Sequence, residues 1–285
     1  LASELEKPIL IEGPPGVGKT ELDNTAALYF KKEMIRLQCY EGLDESKALY
    51  EWRYGKQLLY TQILKEQMQE VLEGAKGLKE SLDRLMKFEE IFFSEDFLET
   101  RPLLEALTSE KGSVLLIDEV DKSDEEFEAL LLEILSEFQI SIPELGVRKA
   151  DVKPLVVLTS NNSREIGDAL KRRCLHLYIP FPDAKLERQI VQARVPEITE
   201  SMQIQLVNFV QGIRELDLKK LPAISETIDW AKTVILLNSE ELDAKLAEDT
   251  LNVLLKHQQD IEVVKKEIPA LVSSATETSD GKSLN

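Results

Sequence analysis

The sequence predicts an α/β protein: a parallel five-stranded sheet sandwiched between helices, followed by a smaller all-helical domain. Short apolar runs suited to burial on both faces alternate with helical patterns up to about residue 182. A glycine-rich octapeptide, Gly13-Pro14-Pro15-Gly16-Val17-Gly18-Lys19-Thr20, separates the first apolar run from the first helical pattern. From Asp183 onward the pattern is helical throughout, with Pro182, Pro196 and Pro222 as breaks.

Taken in order, Lys7 to Glu12 reads as the first strand, and the helix after the glycine turn runs from Lys19 to about Lys32. Met34 to Gln38 is the second strand, and Asp44 to about Glu73 reads as one long helical stretch. Gly74, Gly77 and the charged run to Glu90 read as a turn leading to further helix. Ser113 to Ile117 is the third strand, ending in Asp118-Glu119. An acidic amphipathic helix follows from about Ser123 to Glu137, its apolar face carrying Phe127, Leu130, Leu131, Ile134 and Leu135. Gln139 to Pro143 and the stretch after Gly146 suggest a hairpin. Pro154 to Asn161 is the fourth strand, about Arg164 to Arg173 a helix, and Leu175 to Ile179 the fifth strand. Residues 1–182 thus form the first domain, 183–272 a helical one, and the small, polar tail 273–285 is expected to be disordered.

A chain of 285 residues can bury two cores. Acidic residues outnumber basic ones, 53 to 35, for a formal charge of −18, which argues against wrapping nucleic acid and points to a protein partner. No apolar run is long enough to span a membrane, and the first residue, Leu1, suggests a chain that begins inside a longer polypeptide. Cys39 and Cys174 are too few for a disulfide framework or a four-cysteine zinc site, so the plain reading is a reducing cytoplasm.

The octapeptide carries the most specific chemistry. Its glycines let successive backbone N–H groups turn onto phosphate oxygens, and the helix that follows adds the positive end of its dipole. Lys19 would reach the β and γ phosphates of ATP, and Thr20 would offer its hydroxyl to Mg²⁺; Gly13 through Thr20 and the adjoining Glu21 form the expected nucleotide-binding segment. Asp118, at the carboxyl end of an apolar strand, would hold Mg²⁺ through its water shell. Glu119 beside it can polarise water for attack on the γ phosphate, or can be one more acid favouring a helix dipole. Asn161, ending the next strand, could bond both the γ phosphate and the attacking water, although asparagine commonly ends strands. Arg172 and Arg173 at a helix end either complement that dipole or act as an arginine finger across a subunit boundary.

Taken together, GPPGVGKT, LLIDEVD, LTSNN and ALKRRC in this order resemble the AAA+ ATPases, and within them the MoxR group. The stretches IRLQCYEGLDESKALYEWRYGKQLLY, FFSEDFLETRPLLEAL and FEALLLEILSEFQISIPELG resemble the MoxR-like ATPases encoded beside molybdenum-containing carbon monoxide dehydrogenase, so that the likeness covers about Glu6 to about Leu237. The resemblance implies Lys19 and Thr20 as the Walker A pair, Asp118 and Glu119 as Walker B, Asn161 as sensor 1, and Arg173 as the finger with Arg172 the neighbouring alternative. It also implies a homo-oligomeric ring, usually a hexamer, a von Willebrand factor A domain partner and a metalloenzyme client, here a molybdenum hydroxylase. The station implied is the cytoplasm, with peripheral attachment to the inner face of the membrane as an option. A DNA-remodelling motor or helicase loader, and a nucleotide-gated binding module with little turnover, are the alternatives.

One departure concerns the lid. Many relatives carry a sensor 2 arginine at the start of a lid helix, but the matching stretch here reads LPAISETIDWAK, with Glu226 in that place. Glu226 is expected to offset its own helix dipole, with Arg214, Lys219 or Lys220 as alternative sources of charge. The long gap from about Asp44 to Arg101 matches the helix 2 insertion of this clade. That insert and the hairpin at Gln139 to Val147 are candidates for client contact, but the favoured reading of Tyr50, Trp52, Tyr54 and Tyr60 is that they only pack helices.

Overall fold

The protein is described here by a computed structural model covering residues 1–63, 93–143, 145–239 and 241–280. It divides into two compact units, Leu1–Glu12 with Lys19–Tyr178, and Gly13–Gly18 with the chain from Ile179 onward.

In the first unit a short helix α1 (Ala2–Leu5) precedes β1 (Ile9–Glu12), and α2 (Lys19–Phe30) leads to β2 (Glu33–Gln38). The third sheet strand, β5 (Ser113–Asp118), is buried at every position, as a central strand covered on both faces must be. With β8 (Leu155–Ser160) and β9 (Leu175–Tyr178) these form one parallel sheet in the order β2-β5-β8-β1-β9. Register places Gln38 opposite Asp118 and Glu12 opposite Ser160, so the site-bearing ends of the strands lie along one edge. Leu10, Leu115, Ile117, Val156 and Leu158 pack in the core with Phe127, Leu131 and Ile134 from α6 (Glu125–Glu137). Each such side chain contributes about 1.5–3 kcal/mol by leaving water. Leu130, expected on that apolar face, is only partly buried.

Asp44 to Ile63 is not one helix. Helix α3 (Glu45–Ala48) stops after one turn, β3 (Tyr50–Trp52) follows, and only then does α4 (Tyr54–Ile63) begin. The cause is a local alternation in which β3 pairs antiparallel with β4 (Leu98–Thr100), burying Trp52 and leaving Glu51 exposed. Trp52 stands edge-on to Tyr50 and Phe93, and the partly exposed Tyr60 packs edge-on against Phe97, whereas Tyr54 is exposed. The expectations for residues 64–92, including the turn at Gly74 and Gly77, lie outside the described residues. Helix α5 (Pro102–Thr108) follows β4, and β6 (Gln139–Ile142) and β7 (Gly146–Lys149) form the expected hairpin after α6. The helix expected from Arg164 begins only at Asp168, as α7 (Asp168–Arg173); Arg164 lies in a bend before it, its side chain bonded to Glu128 at 2.5 Å.

From Ile179 onward, the second unit holds α8 (Ala184–Arg194), α9 (Glu200–Arg214), α10 (Ile224–Leu236), α11 (Ala244–Leu254) and α12 (Gln258–Asp280). Asp183, Thr199 and Asp243 cap α8, α9 and α11 by accepting bonds from Leu186, Met202 and Leu246 main-chain N–H groups. Trp230 is fully buried against Phe209, its indole N–H donating to Thr250 Oγ1 at 2.7 Å. Residues 273–280, expected to be disordered, instead continue α12. The reason is spacing: Leu271, Val272 and Ala275 recur at helical intervals against the core of this unit, and Ala275 is buried.

Candidate nucleotide and hydrolysis site

The glycine turn links the end of β1 to the start of α2. Gly16 and Gly18 have φ of 75° and 92°, a backbone that residues with a Cβ rarely adopt. Gly16 is also pressed by its neighbour, since a Cβ there would lie 2.6 Å from the Cβ of Ala223. Lys19, the first residue of α2, is buried, whereas Thr20 and Glu21 are exposed. Burial lowers the Lys19 pKa, and the charges of Asp121, Asp118 and Glu119 oppose that shift. Lys19 therefore lies within electrostatic reach of the carboxylates at the ends of the strands.

The chain turns sharply between Asp118 and Glu119. Asp118 completes β5 and is 5% exposed, while Glu119 adopts the left-handed conformation, φ 56° and ψ 49°. For a residue other than glycine that conformation costs about 1–3 kcal/mol, and it aims the Glu119 carboxylate away from the strand axis. Thr159 on β8 holds both residues, its hydroxyl donating to Asp118 Oδ1 at 2.5 Å and accepting from the Glu119 main-chain N–H at 2.9 Å. Asn161 Nδ2 donates to Glu119 Oε1 at 2.8 Å, while Glu119 Oε2 accepts from Gln38 Nε2 at 2.9 Å and Lys122 Nζ at 2.5 Å. That bond to Glu119 raises the Lys122 pKa.

Asp121 is a buried clamp. It accepts the main-chain N–H of Asn161 at 3.1 Å and of Ser163 at 2.8 Å, and the Ser163 hydroxyl as well. Burial pushes its carboxyl up, but the bonds from Ser163 and Asn161 outweigh burial and leave its pKa below the usual value. The segment after Glu119 and the segment carrying Asn161 are thereby fixed to one another. Glu128 makes a second clamp, with Oε1 accepting from Arg164 at 2.5 Å and Oε2 from the Gly167 N–H at 2.9 Å, which anchors the start of α7. Arg172 and Arg173 sit exposed on the last turn of that helix.

The expected set is therefore partly assembled: Asp118, Glu119 and Asn161 converge, Lys19 faces their charge, and Thr20, Arg172 and Arg173 stand exposed. Sequence reasoning did not identify Arg36, Gln38, Asp121, Glu128 or Thr159. Arg36 and Gln38 left a signal, two polar groups alternating along an otherwise apolar strand and so on one face of it. The lid expectations change in part. Glu226 turns back on its own helix, accepting from the Ala223 N–H at 3.0 Å and Ser225 Oγ at 2.9 Å, as its dipole reading requires. Arg214 is not a spare cation: it is buried in a two-point pair with Glu187, at 2.7 and 2.8 Å, and its Nε donates to Pro222 O. Lys219 and Lys220 lend their main-chain N–H groups to Asp260.

The magnesium that accompanies nucleotide in such sites needs few protein ligands, because phosphate oxygens and water complete its octahedron. Among the described residues no cluster of three or more His, Cys, Asp or Glu could hold a metal ion unaided. Asp118 fits the lighter task, as its Oδ2 already faces a positive charge, the Arg36 guanidinium at 2.5 Å.

A parallel sheet ordered β2-β5-β8-β1-β9, a glycine loop after β1 and acids ending β5 define an AAA+ P-loop nucleoside triphosphatase fold. Residues 8–174 match the family model described as AAA domain (dynein-related subfamily), and the chain belongs to that family. A point variant of Thermotoga maritima RuvB matches with a TM-score of 0.51 at 17% identity, covering 96% of this chain and 76% of that one. The Thermotoga maritima RuvB Holliday junction branch migration motor matches at 16% identity and TM-score 0.49, covering 99% and 79%. No curated protein matches the chain. AAA+ proteins bind nucleotide, usually with Mg²⁺, and typically form oligomers. Among the described residues no helix is long and apolar enough to cross a membrane.

Proposed function

We propose that the chain hydrolyses ATP. The observation that carries this reading is the carboxylate of Glu119, set beside Asp118 by a left-handed turn and bonded at 2.8 Å by Asn161. A nucleotide binder without turnover needs the glycine loop and Lys19 but no second, oriented carboxylate. Lys19 and the loop N–H groups hold the β and γ phosphates. Thr20 and Asp118 hold Mg²⁺, which supplies charge neutralisation at the triphosphate when bound. Glu119 takes a proton from water as the water oxygen bonds to the γ phosphorus and the bond to the β–γ bridging oxygen breaks. Asn161 keeps that carboxylate aimed and can donate to the γ phosphate. Glu119→Gln should bind ATP with wild-type affinity and lose turnover by at least about a hundredfold, a range typical of a lost general base. Hydrolysis at the wild-type rate would remove Glu119 from the mechanism.

The larger reading is a ring, in which Arg173, or its neighbour Arg172, completes the next subunit's site. Their exposure at the end of an anchored helix supports it. Turnover then drives remodelling of a protein client. The sequence resemblance suggests a molybdenum-containing metalloenzyme as client and a von Willebrand factor A domain protein as partner. The charge of −18 supports a protein client over nucleic acid. The insert and the hairpin are the proposed client-facing surfaces, and both border a cavity of about 380 Å³ lined by Leu98, Thr100, Ile142 and Arg148.

A further inference from the structure

The hydrolytic scheme leaves one contact unused, the ion pair between Arg36 and Asp118. Arg36 and Gln38 lie two residues apart on the edge strand β2 and therefore project to the same side, with Gln38 opposite Asp118 in register. One nitrogen of the Arg36 guanidinium, Nη2, donates to Asp118 Oδ2 at 2.5 Å and to Gln38 Oε1 at 2.7 Å. Gln38 is itself bonded through Nε2 to Glu119, so its carbonyl oxygen is turned toward Arg36 rather than free to rotate. The guanidinium side chain is half exposed, whereas Asp118 is 7% exposed at its side chain.

Those exposures set the roles. A carboxylate as buried as Asp118 is costly without a compensating charge, while the cation beside it can return to water easily. Lys19 contributes charge nearby and Lys122 bonds Glu119, while the Arg36 guanidinium is in direct contact with Asp118. The contacted oxygen, Oδ2, is the one that Thr159 does not hold, and so the one available to a metal ion and its water shell.

We propose that Arg36 is the built-in counter-ion of the metal site: it neutralises Asp118 while the site is empty of metal, and Mg²⁺ arriving with nucleotide must displace it. This rests on the nucleotide-site reading above. The guanidinium is well suited to the role because it can trade Asp118 for water while keeping Gln38 as an acceptor. Metal affinity is thereby set below what Asp118 alone would give, and metal entry carries a movement of β2's polar face.

The test uses the full chain, a non-hydrolysable ATP analogue and Mn²⁺ as the probe, with free Mn²⁺ read by its paramagnetic resonance signal. In Arg36→Gln, Mn²⁺ should bind the analogue-loaded protein up to about tenfold more tightly, the factor corresponding to about 1.4 kcal/mol of lost competition. Analogue binding in excess chelator should be unchanged. The metal-free melting temperature should also fall more than that of the Mn²⁺-loaded form. Arg36→Lys keeps the charge but packs it differently; it should tighten Mn²⁺ binding by a smaller factor and serves if the glutamine variant does not fold. Unchanged or weaker Mn²⁺ binding in both variants would overturn the counter-ion role and leave the nucleotide site standing. Failure of the wild-type chain to bind the analogue at all would instead remove the site on which it rests.

Discussion

At the scale of single residues, Thr159 shows how little chemistry is needed to order two carboxylates. Its hydroxyl donates to Asp118 and accepts from the Glu119 backbone, so one buried oxygen sets both the position of the Asp118 carboxylate and the turn that follows it. Thr159→Val keeps the shape and removes both bonds; it should lower stability by about 1–3 kcal/mol, the cost of unpaired buried groups, and reduce ATP turnover more than ATP binding. Urea denaturation beside hydrolysis and binding assays checks this. Cys39 is buried in the core, and the partly buried Cys174 packs against it. Burial pushes both Cys39 and Cys174 up to about 12, with the charge of Asp118 adding to the effect at Cys39. Neither should react with a thiol reagent at neutral pH until the protein is unfolded. Asp118, Glu119 and Asn161 were legible in the sequence because each ends an apolar run at the edge where such sheets bind ligands. Thr159, Asp121 and Glu128 were not, because their partners lie 36–42 residues away and nothing in their local spelling marks them.

At the scale of elements, side-chain clamps decide where the loops after β5 and β8 stand. Asp121 joins the segment after β5 to the segment after β8, and its pKa is lowered in the folded chain. The sign follows directly: the stabilisation is present above the ordinary carboxylate range near pH 4 and is lost as pH falls through the lower folded value. Asp121→Asn presents an amide to main-chain donors, should cost about 1–3 kcal/mol, and should flatten the acid limb of the stability profile measured by denaturation against pH. Glu128→Ala frees Arg164 and the Gly167 N–H together, so α7 should loosen; faster amide exchange across Asp168–Arg173 with the sheet unchanged is the expected signature. Strands were read well from sequence because continuous apolar runs of four to six residues bounded by turns have few other solutions in an α/β pattern. The insert was misread because helix-forming Leu, Lys and Gln around β3 outweigh its three residues, whose strand character comes from β4, nearly fifty residues on. Residues 273–280 were misread for the opposite reason: their small, polar composition hides that they continue a helix whose Leu271, Val272 and Ala275 pack on the core.

At the scale of the whole molecule, Arg172 and Arg173 are exposed, and in the proposed ring they would complete a neighbouring subunit's site. Each site would have the loop, Lys19, Asp118, Glu119 and Asn161 of one subunit and a guanidinium from the next, in a head-to-tail contact that closes on itself. Specific activity should rise with protein concentration across the assembly range, whereas a self-sufficient monomer would show none of that dependence. The most direct test mixes two inactive variants. Lys19→Ala removes the phosphate contact and Arg173→Ala the finger, so each alone should hydrolyse little ATP. In a one-to-one mixture that exchanges subunits, intact interfaces form between Arg173→Ala subunits with a sound loop and Lys19→Ala neighbours with a sound finger. Activity should then return to about a quarter of wild type, the share expected for random, independent, heterologous interfaces. No recovery in mixed oligomers, or full activity of Arg173→Ala and Arg172→Ala each alone, would contradict a site shared between subunits.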